Sequence, residues 1–230
     1  MIFHKIGRKF YKLFHPVIGE IWMLHRVVEQ RSKKPEQREL EVTPTWLENK
    51  IREYQNKGYS FVPIEQLPNN GHWVCLTFDD GYHDNYAIAY PLLKKMGIPF
   101  AIYVTTGIID NQQEMWWYPN EKLGIGAEEL KQLDKDPLCT IGAHTVSHPK
   151  LDSLTYDQQY QEIAASKRTL EALLGHEVRH FSFPHGAHND DTLTICRELG
   201  FRTIVQSWGG PIRRGENPCP LPRINQTESK

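Results

Sequence analysis

Two adjacent carboxylates and two histidines four residues apart are the groups in this chain best placed to do chemistry: Asp79 and Asp80 in TFDDGY (77–82), His144 and His148 in HTVSH (144–148). Consecutive carboxylates at a strand end point in different directions, so one can hold a metal while the other takes a proton. The plain alternative is a solvated Asp-Gly turn. A spacing of four brings two imidazoles to one side of a helical turn, as metal-binding pairs require. Together with Asp80 they make a set of two histidines and one carboxylate that leaves positions open for water and substrate. That set suits a divalent metal, Zn2+ above all, with Co2+ or Ni2+ also allowed. A third polar cluster is Pro184-His185-Gly186 followed by His188.

Each cluster stands directly after a short apolar run, and those runs alternate with longer amphipathic stretches, the pattern of repeated βα units with parallel strands. Six strands are expected, at 21–27, 73–78, 100–106, 139–144, 180–184 and 202–207. Several are apolar on both faces, as strands covered by helices outside and packed into a barrel inside must be. Helices are expected at 43–57, 85–96, 156–174 and 190–199, the last three stopped by Gly97, Gly175 and Gly200. The stretch 107–135 reads as an extended loop with one short helix. Its Trp116 and Trp117 fit a sugar-stacking platform or buried packing equally well. The three polar clusters then fall at the C-terminal ends of strands, where α/β barrels gather their catalytic groups.

A chain of 230 residues, 39% hydrophobic, has room for one large core. Its 27 basic and 28 acidic residues leave a net charge of −1, which gives no basic face for nucleic acid. Cys75, Cys139, Cys196 and Cys219 are widely spaced and read as ordinary small residues in a reducing compartment. The N-terminus interleaves Lys5, Arg8, Lys9 and Lys12 with apolar residues but lacks the h-region of a signal peptide. It fits either peripheral contact with an anionic membrane or an extension packed on the domain.

In order and content, TFDDGY, HTVSH and SFPHG (182–186) resemble the three leading motifs of the polysaccharide deacetylases, carbohydrate esterase family 4 or the NodB-homology domain. MLHRV (23–27), LGF (199–201) and LPRI (221–224) add weaker similarity. The resemblance implies an α/β fold, a distorted (β/α)7 barrel, over residues 20–230, with residues 1–19 as a basic amphipathic extension. It further implies a metal on Asp80, His144 and His148, Asp79 as catalytic base, and motif residues Tyr82, Pro184 and Gly186 contacting substrate beside Trp116 and Trp117.

Two departures stand out against that family. Ser182 replaces the arginine that commonly orients the catalytic aspartate, and the C-terminal part carries no histidine after His188 to protonate the leaving group. His185 and His188 are the expected proton donors, ahead of Arg223, which suits an orienting or oxyanion-binding place better because its charge is permanent. His25 is either a residue of the barrel mouth or a histidine satisfied by backbone. The expected function is hydrolysis of the N-acetyl group of a sugar in a polysaccharide or glycan precursor, including a lipid-linked one at the membrane face. A catalytically silent carbohydrate-binding barrel is the competing reading. The expected location is the cytoplasm, with peripheral contact at the inner membrane face left open; the sequence carries no sign of an oligomeric state.

Overall fold

The computed structural model describes residues 15–228. The basic amphipathic stretch, apart from its last few residues, lies outside the described residues. Seven strands, β1 (Val17–Leu24), β2 (Trp73–Phe78), β3 (Phe100–Val104), β4 (Cys139–Ala143), β5 (His180–Ser182), β6 (Thr203–Gly209) and β7 (Leu221–Asn225), run parallel and pair in chain order. Pairing of Trp22 with Ile224 and Met23 with Asn225 closes the ring. The expected (β/α)7 barrel is therefore what the chain forms.

Alternation along the strands divides the core in two. Val74, Leu76 and Phe78 of β2, with Phe100 and Ile102 of β3, belong to an outer cluster that meets the helices. Trp73 and Cys75, with Ala101, Tyr103 and Val205, form a separate inner cluster that fills the barrel. The same two-residue period carries the inward side of β2 on through Thr77 to Asp79, and that of β4 on to His144.

Helices α1 (Pro44–Asn56), α2 (Tyr90–Met96), α3 (Ala127–Asp134), α4 (Tyr156–Leu174) and α5 (Asp190–Glu198) cover the outside. Thr43 caps α1 by accepting from the Trp46 N–H, and α2 and α4 end at Gly97 and Gly175 in the left-handed conformation, as expected. The expected helix 85–96 is not uniform, because Asn85–Ala89 forms a π turn in which the Tyr90 N–H reaches back to the Asn85 carbonyl. Pro91 has no N–H to continue a tighter ladder there.

Two strand expectations are corrected. The first strand starts at Val17 and stops at Leu24, while Arg26–Val27 turns away to pair with Glu41–Val42. The seventh strand was not among the six expected, since LPRIN carries a proline at its second position and buries an arginine instead of a run of apolar residues. All four cysteines are free thiols, three of them buried. Among the described residues no helix is long and apolar enough to cross a membrane.

Barrel filling depends on glycine where a large ring crosses the interior: a Cβ on Gly19 would lie 2.0 Å from the Trp73 indole. Gly19→Ala is expected to cost about 1–3 kcal/mol through overpacking, read as a lower denaturant midpoint with an unchanged slope.

Candidate metal centre and catalytic pocket

The end of β2 sends its two carboxylates to separate partners. Asp79 is still in strand register, its N–H bonded to the Leu24 carbonyl at 2.9 Å. Asp80 follows with φ 76°, a left-handed conformation that costs a non-glycine residue roughly 1–2 kcal/mol. That twist turns Asp80 toward the histidines of β4 while Asp79 keeps facing the barrel axis.

His144 immediately follows β4, and its Nδ1 donates to the Ser182 carbonyl at 2.7 Å, which leaves Nε2 as the free ring nitrogen. Nε2 of His144 lies 3.4 Å, and Nε2 of His148 3.3 Å, from Asp80 Oδ1. The expected helical turn between the two histidines is absent. Thr145 and His148 adopt φ 66° and 60°, and Glu162 of α4 accepts from the Val146 and Ser147 N–H groups at 2.9 Å each. The imidazoles converge through a carboxylate-held bend in place of a helix.

Asp80, His144 and His148 are all buried, and each offers a ligand atom within 4.8 Å of the others. Asp80 Oδ1 is buried without a hydrogen-bond partner. A buried carboxylate oxygen left unbonded between two imidazole nitrogens fits a divalent cation, because an orphaned buried acceptor is otherwise costly.

Asp79 has a different environment. Arg223 of β7 donates to it bidentately, Nη1 to Oδ1 at 2.7 Å and Nη2 to Oδ2 at 2.6 Å. Ser182 Oγ accepts from Arg223 Nη2 at 2.9 Å and lies 3.3 Å from Asp79 Oδ2. Thr77 Oγ1 and the Gln206 carbonyl take the remaining guanidinium donors. Burial pushes the Asp79 carboxyl up, but Arg223, together with His144 and His25, brings it below the usual carboxylate range. The orienting arginine missing from the third motif is thus supplied by the last barrel strand, and the small Ser182 leaves the space it occupies. Arg223 is 1% exposed and committed to Asp79.

Above these groups opens a cavity of about 320 Å³. Asp79, Asp80, His144, His148, Trp116, Trp117 and His185 line it, together with Met23, Leu40 and His25. Trp116 stands 64% exposed at the rim. Trp117 is half-buried, with its ring 4.6 Å from that of His148. His185, at φ 57°, packs its ring 4.6 Å from His148; burial, then His148 and His144, hold its imidazole down to about 4.

Other expected site residues lie elsewhere. Tyr82 is wholly buried, donates its hydroxyl to Asp80 at 2.9 Å, and is not among the cavity's walls. Pro184 and Gly186 are buried in the turn that carries His185, with Gly186 beneath the Trp208 ring. His188 stacks on Phe183 at 4.5 Å, donates Nδ1 to the Gly186 carbonyl, and is not among the cavity's walls. Of the two readings open for His25, the structure places it at the barrel mouth, where it lines the cavity just past the end of β1. Its inward alternation with Ile21 and Met23 was the available signal. Burial lowers its basicity against the opposing pull of Asp80 and Asp79.

Comparison with known proteins agrees with this geometry. Residues 66–204 match the family model of polysaccharide deacetylases. The Bacillus subtilis protein YxkH, which bears the name of a polysaccharide deacetylase, is 28% identical over 205 residues, covering 89% of this chain and 70% of its own length. The poly-β-1,6-N-acetyl-D-glucosamine N-deacetylase of Staphylococcus aureus is 25% identical over 182 residues, 74% of this chain, which spans 57% of that enzyme's length. Among solved structures, the Streptococcus pyogenes deacetylase PplD, in complex with acetate, superposes with a TM-score of 0.70 and 27% identity, covering 85% of this chain and 86% of its own. Motif order, barrel and sequence match converge, and the chain belongs to the polysaccharide deacetylase family.

Proposed function

We propose that this chain hydrolyses the acetamide of N-acetylglucosamine-type residues in a glycan, with a divalent metal held by Asp80, His144 and His148. The observation that carries the reading is the division of labour at the end of β2: Asp80 presents an unbonded oxygen to two imidazoles, while its neighbour Asp79 is held by Arg223 in the same cavity. A metal on that triad would supply Lewis acidity toward the acetamide carbonyl and make water easier to deprotonate. Asp79, kept ionised by Arg223, is placed to take the proton of the attacking water. The indole of Trp117 and the side chains of Met23 and Leu40 give the acetyl group a largely apolar wall and limit bulk water. His25, across the mouth, is the proton donor we assign to the departing amine, with His185 as the second imidazole there. The named activity of the Staphylococcus aureus relative supports an N-acetylglucosamine polymer as substrate class. The two departures that favoured a silent barrel are each met by another residue, Arg223 bonded to Asp79 and His25 on the cavity wall, which supports turnover.

Acetate release from partially acetylated glucosamine oligomers is expected to vanish on chelation and to return with Zn2+ or Co2+, while the barrel still melts cooperatively; loss of the melting transition would mark the metal as a structural staple. Asp79→Asn should abolish turnover with metal content still about one per chain, since general-base assistance alone is worth roughly 10²–10⁴-fold. His25→Ala is expected to lower kcat by a similar factor, whereas His188→Ala stays within about threefold of the parent; the reverse order would exclude His25 as the donor. Arg223→Met strands a buried carboxylate, and a loss of about 3–5 kcal/mol in unfolding free energy should accompany inactivation.

A further inference from the structure

Behind the metal triad runs a short hydrogen-bonded chain that the reaction described above does not use. Trp117 Nε1 donates to the Tyr82 hydroxyl at 2.6 Å, and that hydroxyl donates to Asp80 Oδ2 at 2.9 Å. The direction of the chain is set by chemistry, because an indole N–H can only donate. Tyr82 must accept from it and is left with one proton, which goes to Asp80. Oδ2 is thereby occupied, and Oδ1, without a hydrogen-bond partner, is the oxygen that faces His144 and His148.

The surroundings hold this arrangement rigid. Tyr82 is completely buried, with the Arg26 guanidinium 5.3 Å from its ring centre and Tyr118 packed edge-on at 5.9 Å. Arg26 is itself held by Asp84 at 2.8 Å. Beyond Trp117, the same long loop is stitched back to the DDGY turn: His83 N–H bonds to the Leu123 carbonyl at 2.7 Å and Ile125 N–H to the Gly81 carbonyl at 3.0 Å. The indole that starts the chain also walls the cavity and packs on His148.

We infer that Trp117 and Tyr82 are positioning residues that restrict Asp80 to one metal-binding oxygen, and so set both the affinity and the coordination number of the site. The inference rests on the metal reading proposed above. Without the Tyr82 hydroxyl, Oδ2 loses its donor and the carboxylate is free to chelate through both oxygens, filling a position that an open catalytic site keeps for water or substrate.

The test is a Co2+ titration of the metal-stripped full chain, in competition with a chelator and followed by the visible Co2+ bands. It compares the parent with Tyr82→Phe, Trp117→Phe, the double variant and Asp80→Ala. Tyr82→Phe is expected to weaken Co2+ binding roughly 10–100-fold, because the carboxylate is no longer held in place before the metal binds, and to alter the band intensities as its second oxygen becomes available. Trp117→Phe keeps a ring against His148, so it should act in the same direction but less, and the double variant should be no weaker than Tyr82→Phe, as members of one chain require. Should metal-free Tyr82→Phe melt far below the parent, Trp117→Phe carries the comparison. Parent-like affinity and spectrum in the single variants, or fully additive losses in the double, would overturn the relay. A parent chain that takes up no more Co2+ than Asp80→Ala overturns the metal reading itself, and the relay with it.

Discussion

A carboxylate inside a closed barrel must be matched by a cation, and the pairing of Asp79 with Arg223 is the interaction on which the rest of this site depends. Removing an ion from water costs several kcal/mol, recovered only when geometry is good and the remaining donors are satisfied. Both conditions hold. The guanidinium fork meets both carboxylate oxygens, and Thr77, Ser182 and the Gln206 carbonyl take what is left. An ionised Asp79 at the mouth of an apolar barrel exists because β7 places a permanently charged group directly against it.

The same pairing explains why Ser182 stands where the family commonly has arginine. The cation comes from β7, and the β5 position carries a hydroxyl that joins both partners. The function is preserved although its residue has moved to another strand. Glu162 plays a comparable part on the metal side. As a carboxylate on α4 it holds the backbone of the HTVSH bend, doing for His148 what a helical turn was expected to do.

Much of this was legible in the sequence because it follows from local periodicity. The runs WVCLTF and FAIYV are apolar on both faces, as strands between helices and a barrel interior must be, and the polar clusters stand where such runs end. Asp80, His144 and His148 were readable as a set because they follow strands in the same order as the family motifs. Other features rest on long-range partners that periodicity does not encode. The left-handed twist at Asp80 has no residue-level signature, since aspartate is only tolerated there. Tyr82 read as a substrate contact because it follows the motif, but its hydroxyl meets an indole 35 positions away and points beneath the site. The seventh strand was missed because a proline and a buried arginine interrupt the apolar run expected of a barrel strand.

Barrel closure at the β1–β7 seam has a consequence for how the molecule comes together. The register that joins Trp22 to Ile224 links residues about as far apart in the described chain as any two can be, and such distant contacts form late because of the loop entropy they must overcome. Arg223 lies on the strand that makes this seam, so the bidentate partner of Asp79 is in place only when the ring is closed. Charge neutralisation and ring closure depend on the same strand. An intermediate with six strands in place would bear the mark of an unfinished fold in its unpaired carboxylate, which ties completion of the active site to completion of the architecture.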